Sequence, residues 1–426
     1  MGRVIDCFAG GGGASTGIEQ ALGRPCDVAV NHDPKAIAMH RANHPRTYHM
    51  TEDIFAADLR AVIGDDPVGV MWASPDCTSH SRAKGSKPRL SGLRMLPWAV
   101  HRHAAEIRPD VIFMENVAEI RKWGPLGSDG RPIKSREGEE YRRFVDAMGE
   151  LGYEFDCREL VASDFGAPTS RKRWYAVLRR DGLPIRWPEP THGDGLFGAP
   201  PVPASSCIDF SDIGSSIFER KRPLADATCR RIARGIRKFV VDDPSPFIVP
   251  IGYGERMGQK PRVESVHRPL GTIVAGGTKR YLCTPWLMKY YGGVTGQRID
   301  VPLGTITAGF GGHFALVSSL LIKYYGYGTG QALGRPLGTI TAKDRFGLAS
   351  VVIDGEKYAI ADIFLRMLKP EELKLAQGFP RDYIIDRYDD GRPVPKGQQV
   401  KMIGNSVVPV MARAMVAANM GLPARP

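Results

Sequence analysis

Short apolar runs alternate with stretches of helical period through the N-terminal part of the chain, the pattern of a sheet covered by helices on both faces. Val4 to Phe8 predicts a strand, and Ala14 to Leu22 a helix that Gly23 closes. Val28 to Val30 predicts a second strand, followed by a helix through Ile37, Ala38, Met39 and His40. Further strands are expected at Val68 to Met71, Val111 to Met114 and Trp174 to Leu178, with a helix around Pro97 to Ile107. An α/β fold with a parallel sheet is the consistent reading.

Near Pro184 the texture changes to proline and glycine punctuation, in Trp187-Pro188-Glu189-Pro190 and again in Pro200-Pro201-Val202-Pro203. Beyond it the phrase Pro269-Leu270-Gly271-Thr272-Ile273 recurs at Pro302 to Ile306 and at Pro336 to Ile340. Each copy follows an aromatic-glycine segment: Tyr253-Gly254, Tyr290-Tyr291-Gly292 and Tyr324-Tyr325-Gly326. Units of roughly 35 residues rich in Gly, Thr and aromatics predict repeated strand-turn elements, either a structural duplication or a β module that contacts DNA. After Asp354 helical patterning is expected to resume, with a short helix at Pro370 to Ala376 and a longer one at Val407 to Ala418. Three regions follow: 1–184, a β-rich repeat region at 185–355, and 356–426.

Composition narrows the function classes. The 42% hydrophobic and 24% charged fractions are those of a globular protein. No apolar run is read as a membrane span and no signal peptide as a leader, so a cytosolic protein without a membrane partner is expected. Seven scattered cysteines with no CxxC pair predict reduced thiols and no metal site. The net charge of +12 favours a polyanionic partner. Basic residues gather at Arg82, Lys84, Lys87 and Arg89, at Arg171-Lys172-Arg173, and from Arg220 to Lys238.

Candidate chemistry converges on the carboxyl ends of the predicted strands. Phe8-Ala9-Gly10-Gly11-Gly12 follows the first strand and opens the first helix, the position of a nucleotide-binding turn. It departs from the dinucleotide pattern, which disfavours a nicotinamide oxidoreductase. With the acidic loop Asp53-Ile54 it suits an adenosine-type cofactor without a pyrophosphate, S-adenosylmethionine being the candidate. Cys77 follows the strand at Val68 to Met71, and is either an inert packed thiol or a nucleophile. Glu115 ends another strand and is placed to donate a proton, while Arg171 and Arg173 begin one from the same side.

With these residues the chain resembles the DNA cytosine-5 methyltransferase family. The likeness rests on Asp6-Cys7-Phe8-Ala9-Gly10-Gly11-Gly12, Pro75-Asp76-Cys77, Glu115-Asn116-Val117, Arg171-Lys172-Arg173 and Gly404-Asn405-Ser406-Val407, in that order. It covers most of the chain apart from the repeats. It implies a Rossmann-like methyltransferase sheet that binds S-adenosyl-L-methionine, a separate β-rich target-recognition domain, and a last helix returning to the catalytic domain.

It further implies that Cys77 adds to carbon 6 of a flipped cytosine in double-stranded DNA, with Glu115 at ring nitrogen 3 and Arg171 at the carbonyl oxygen. Arg173 and Asn116 join the catalytic set. Asp6, Phe8, Ala9, Gly10, Gly12, Asn31, His32, Asp33, Asp53, Ile54, Asn405 and Ser406 form the cofactor set. A monomer suffices for this chemistry, and a cognate restriction endonuclease acting separately is a possible partner.

Three positions depart from the family pattern. Asp76 stands where proline usually precedes the nucleophile, and is expected to face away from the thiol. Thr169 replaces a glutamine, and Asn31 replaces the acid that binds the cofactor ribose, with Asp33 expected to share that role. Two other readings keep the fold: an RNA methyltransferase, against which the repeat-bearing insertion speaks, and a non-catalytic DNA-binding regulator, against which Cys77, Glu115, Arg171 and Asn405 speak.

Overall fold

In the computed structural model, residues 2–76, 91–193, 198–212, 214–218, 221–225, 228–229, 232, 247–251, 259–260, 262–275, 279–289, 320–323, 331–332, 346–348, 350–353 and 356–422 are described. Cys77 and the basic residues that follow it lie outside them, as do the phrase copies at 302–306 and 336–340 and most of the stretch from Arg220 to Lys238.

Strands β4 (Val68–Ala73) and β5 (Val111–Asn116) are buried along their whole length, as strands covered on both faces must be. They lie at the centre of a seven-stranded sheet of order β3-β2-β1-β4-β5-β7-β6, with β1 at Arg3–Cys7, β2 at Val28–Val30, β3 at Tyr48–Met50, β6 at Glu154–Val161 and β7 at Lys172–Arg179. Successive residues alternate between two cores. Ile5, Met71, Ala73, Ile112 and Met114 pack on one side with Val100, Ala104, Phe144 and Met148. Val4, Val70, Trp72, Val111 and Phe113 pack on the other with Ala14, Ile18, Met411 and Met415. Trp72 pairs with Phe113 across β4 and β5, their rings stacked at 5.7 Å.

The sheet departs from the all-parallel expectation in one place. β7 runs antiparallel between β5 and β6, with Asn116 opposite Trp174. A strand that starts just after Arg171, at the edge where the others end, has no alternative. β3, β6 and the helix Glu139–Glu150 were not foreseen: β3 has only three residues, and the pattern of β6 alternates between exposed and half-buried positions.

Helix α1 (Gly13–Leu22) ends at Gly23 in the left-handed conformation. Its close partner is the helix Pro409–Asn419, and two glycines one turn apart set the approach. A Cβ on Gly13 would stand 2.1 Å from the Val407 carbonyl oxygen, and one on Gly17 would stand 2.1 Å from that of Pro409. The C-terminal helices Lys396–Asn405 and Pro409–Asn419 together form a stretch long and apolar enough to cross a membrane, but it is 72% buried and broken at Ser406. A core role accounts for that composition, which the sequence reading did not single out.

The chain divides into two units: Met1–Val202, Gly271–Gly277 and Leu373–Pro426 form the first, and Pro203–Leu270 with Thr278–Glu372 the second. The boundaries differ from those expected at 184 and 355. Proline-rich residues up to Val202 stay with the first unit, and β16 (Glu356–Met367) is a strand of the second where helix was expected. In the second unit an antiparallel sheet runs β10-β9-β11-β16-β15, from Glu264–Ser265 through Phe247–Pro250, Arg280–Lys289 and β16 to Ser350–Ile353. Phe247, Val249, Cys283, Ile363 and Leu365 are its core. A three-stranded sheet of Gln331–Ala332, Leu320–Lys323 and Phe346–Leu348 accompanies it.

Candidate active site

The site lies at one edge of the seven-stranded sheet. β1, β2, β3, β4 and β5 are parallel and end there, and antiparallel β7 begins there. Chain order reverses between β1 and β4, so the loops after these two strands diverge, the place where open sheets of this kind bind their ligands. Beyond β4 come half-buried Ser74, buried Pro75 and exposed Asp76, so the carboxylate before Cys77 is at the surface.

Glu115, the penultimate residue of β5, is 7% exposed. Its Oε1 lies 3.2 Å from Arg173 Nε and 3.9 Å from Arg171 Nη2. Neither contact has hydrogen-bond geometry, and Oε1 accepts no hydrogen bond among the described residues. A buried carboxylate oxygen left without a hydrogen bond calls for a specific role, a catalytic one among them. Arg171 is itself held: Nη1 donates to the backbone oxygens of Gly404 at 3.1 Å and Ile273 at 3.3 Å. The site therefore gathers one carboxylate and two guanidinium groups from adjacent strands.

Asn116, expected in the catalytic set, is held at both ends of its amide. Its Nδ2 donates to the Pro75 carbonyl at 3.0 Å and its Oδ1 accepts from Val117 N–H. With both ends of the amide on backbone, Asn116 ties β5 to the turn that leads into Cys77, a positioning role. Thr169 is fully buried and its hydroxyl makes no hydrogen bond among the described residues, so it stands in the core and offers the site nothing.

The glycine loop is a tight reversal. Phe8, Gly10 and Gly12 all have positive φ, at 65°, 53° and 92°. A side chain at Gly12 would strike the Tyr383 hydroxyl at 2.2 Å, whereas a Cβ at Gly10 would meet nothing nearer than 3.8 Å. Gly10 thus borders open space, and Gly12 is glycine because Tyr383 and His44 crowd it. Ala9 is buried, its N–H donating to the Val30 carbonyl, and Ser406 Oγ accepts from Gly13 N–H at 3.1 Å. Ser406 therefore caps α1 from the C-terminal segment, while Asn405 is exposed.

The other residues of the cofactor set divide. Asn31, His32 and Asp53 are at least partly exposed beyond β2 and β3, and Ile54 is buried. Asn31 Oδ1 accepts from Asp33 N–H. Of the Asp33 oxygens, one caps the helix Pro34–Asn43 and the other pairs with Lys401 at 3.4 Å. Asp6 is fully buried beneath the loop. It accepts from Ser15 Oγ at 2.7 Å, Ser15 contacts His40 at 2.9 Å, and His40 contacts His49 at 2.8 Å. Burial raises Asp6 to about 7 and lowers His40 well below its ordinary value. This file of groups was missed because no spacing joins Asp6, Ser15, His40 and His49.

Among the described residues no group of His, Cys, Asp and Glu could hold a metal ion. The loop and its polar surroundings leave room for a nucleoside: a Cβ at Gly10 would meet nothing nearer than 3.8 Å, and Asn31 and Asp53 supply polar edges.

Residues 2–206 match the family model of C-5 cytosine-specific DNA methylases. Type II methyltransferase M.AquIA of Picosynechococcus sp. is 30% identical over 197 residues, 45% of this chain and 77% of that protein. M.AgeI of Thalassovita gelatinovora is 29% identical and M.XorII of Xanthomonas oryzae pv. oryzae 30%; in both the match spans 43% of the relative, less than half its length. Among solved structures, one described as a DNA modification methyltransferase encoded within a prophage of E. coli superposes with a TM-score of 0.53, 17% identity and 99% coverage of both chains. DNMT2 of Spodoptera frugiperda gives 0.50 at 16% identity, covering 99% of this chain and 98% of its own. These two likenesses are of fold alone.

Proposed function

The chain belongs to the C-5 cytosine-specific DNA methylase family, and we propose that it methylates carbon 5 of cytosine within a defined sequence of double-stranded DNA. The observation that carries this reading is Glu115, buried beside Arg171 and Arg173 at the sheet edge where the chain leaves β4 for Cys77. S-adenosyl-L-methionine supplies an electrophilic methyl group. Phe8 to Gly12, Asn31, Asp53 and Ile54 would hold it, Asn405 flanking the crevice and Ser406 fixing the loop through Gly13.

Carbon 5 of cytosine is a poor nucleophile, so the reaction needs prior addition at carbon 6. Cys77 donates its sulfur electron pair there, and the ring electrons move toward nitrogen 3. Glu115 gives its proton to that nitrogen as the charge develops, and the carboxylate that results lies beside Arg173. Arg171 faces the carbonyl oxygen, a preorganised donor for the same charge. After carbon 5 accepts the methyl group it loses its proton, and the electron pair of that bond expels Cys77. Stacking covers the ring faces from which carbons 5 and 6 must be approached, and base pairing occupies nitrogen 3, so the base must be flipped out.

The β-rich second unit is the target-recognition module in this reading, and the net charge of +12 favours the phosphate backbone. The type II relatives point to a cognate endonuclease acting separately, and the protein is expected to work as a cytoplasmic monomer. Incubation with duplex DNA and labelled S-adenosyl-L-methionine should give 5-methylcytosine, and RNA in competition should not reduce it. Cys77→Ala should abolish product, and DNA with 5-fluorocytosine should trap a covalent complex. Undiminished activity of Cys77→Ala would overturn the mechanism.

A further inference from the structure

The acidic loop after β3 is held from outside itself. Residues 51–58 join β3 to the helix Leu59–Ile63 and contain no strand or helix of their own, so their backbone carbonyls need other partners. The Asp53 carbonyl finds them within the loop, accepting from Ala56 N–H and Ala57 N–H at 2.9 Å each. Those of Ile54, Phe55 and Ala57 are taken by two neighbouring side chains of the helix Leu96–Ile107. His103 Nε2 donates to Ile54 at 2.8 Å, Arg102 Nη1 to Phe55, and Arg102 Nη2 to Ala57 at 2.9 Å.

His103 is the inner of the two donors. It is fully buried, and because a carbonyl only accepts, Nε2 carries the proton of the neutral ring. Glu106 orients both: its Oε2 lies 3.5 Å from His103 Nδ1, and its Oε1 lies 3.1 Å from Arg102 Nε. Apolar packing already joins loop and helix, since Ala57 and Leu59 share a core with Val100, Ala104 and Ile107. Three further polar contacts, one of them from a buried imidazole, are more than adhesion requires. What they add is a fixed shape for the turn from which Asp53 projects. Asp53 is exposed, and its Oδ1 accepts from Phe55 N–H at 2.9 Å, so its direction follows the turn.

We propose that His103 and Arg102 are positioning residues for S-adenosyl-L-methionine: by holding the carbonyls of Ile54, Phe55 and Ala57 they fix the turn that presents Asp53 to the cofactor. Affinity for the cofactor is then set from a helix that carries none of the residues assigned to bind it, because a turn already in its bound shape loses less freedom on binding. The assignment rests on the reading of Asp53 and Ile54 as part of the cofactor set.

The test uses the full-length protein and S-adenosylhomocysteine, the demethylated form of the cofactor, titrated by calorimetry without DNA so that the readout is independent of turnover. His103→Leu should raise its Kd about tenfold. The KM for S-adenosyl-L-methionine should rise alongside, with kcat and the DNA KM changed less than about twofold. His103→Gln, whose amide carries a donor at similar reach, should keep Kd within about threefold of wild type. Arg102→Met, at a partly exposed position, should raise Kd about fivefold and carries the test should His103→Leu not fold. Asp53→Asn keeps the acceptor for Phe55 N–H and should itself cost about tenfold. Adding His103→Leu to it should cost no more than about twofold further, because both act on the same contact. An unchanged Kd in Asp53→Asn or in either folded single variant, His103→Leu or Arg102→Met, overturns the inference, as does a His103→Gln as weak as His103→Leu or a double variant whose two losses multiply. Failure of wild type to bind S-adenosylhomocysteine would instead overturn the cofactor reading.

Discussion

Asp6, Ser15, His40 and His49 link the floor of the glycine loop to a half-buried histidine, and their titrations oppose one another. Burial holds the proton on Asp6 to about pH 7 against an ordinary value of 3.8. Its contribution to stability is therefore fully present below about pH 4 and lost as pH rises to about 7. His49 behaves oppositely: burial, then Arg41 and His44, lower it to about 4, so its contribution is present above 6.5 and lost as pH falls through 4. Asp6→Asn should gain stability over wild type as pH rises from about 4 to about 7, by up to roughly 4 kcal/mol, followed by thermal unfolding across that range. Asn116→Ala strands the Pro75 carbonyl, and should lower kcat by about tenfold with the DNA KM changed less than about threefold. Arg171→Lys cannot reach both backbone oxygens and the Glu115 side, and should cost about a hundredfold in kcat/KM in steady-state assays. Glu115 and Arg171 were legible because each stands at the end of an apolar run. The use of Asn116 on Pro75 was not, because it depends on the register of β4 against β5.

At the scale of elements, α1 and the helix Pro409–Asn419 show how a distant segment is built into the site. Alanine or valine at Gly17 would ordinarily favour the helix over glycine. Here a Cβ would stand 2.1 Å from the Pro409 oxygen and 2.7 Å from Ala412 Cβ, so the clash prevails. Gly17→Val should destabilise by about 1–3 kcal/mol, read as a lower urea midpoint, and should displace Ser406 from Gly13. Helix α1, β2 and the helix Pro370–Ala376 stand where period and punctuation predict. β16 was misread because a strand of twelve residues before a helical segment carries no alternation that separates it from helix. The antiparallel sense of β7 was implicit in placing Arg171 and Arg173 at its start on the edge where the other strands end, although an all-parallel sheet was expected.

For the whole molecule, the charge of +12 predicts that duplex affinity depends on salt. Kd should rise by at least about a hundredfold between about 50 mM and about 200 mM salt, measured by fluorescence anisotropy. The sequence by itself determined the α/β class, the order of the motifs and the residue types at the strand ends, because apolar period and strand-end chemistry are local properties. Tertiary structure alone decided that Gly271–Gly277 joins the first unit, that Asp33 pairs with Lys401, and that Asp6 is buried beneath its loop. These depend on contacts between residues far apart in the chain: Arg171 meets Ile273 and Gly404 through backbone carbonyls, which every residue carries and no motif records.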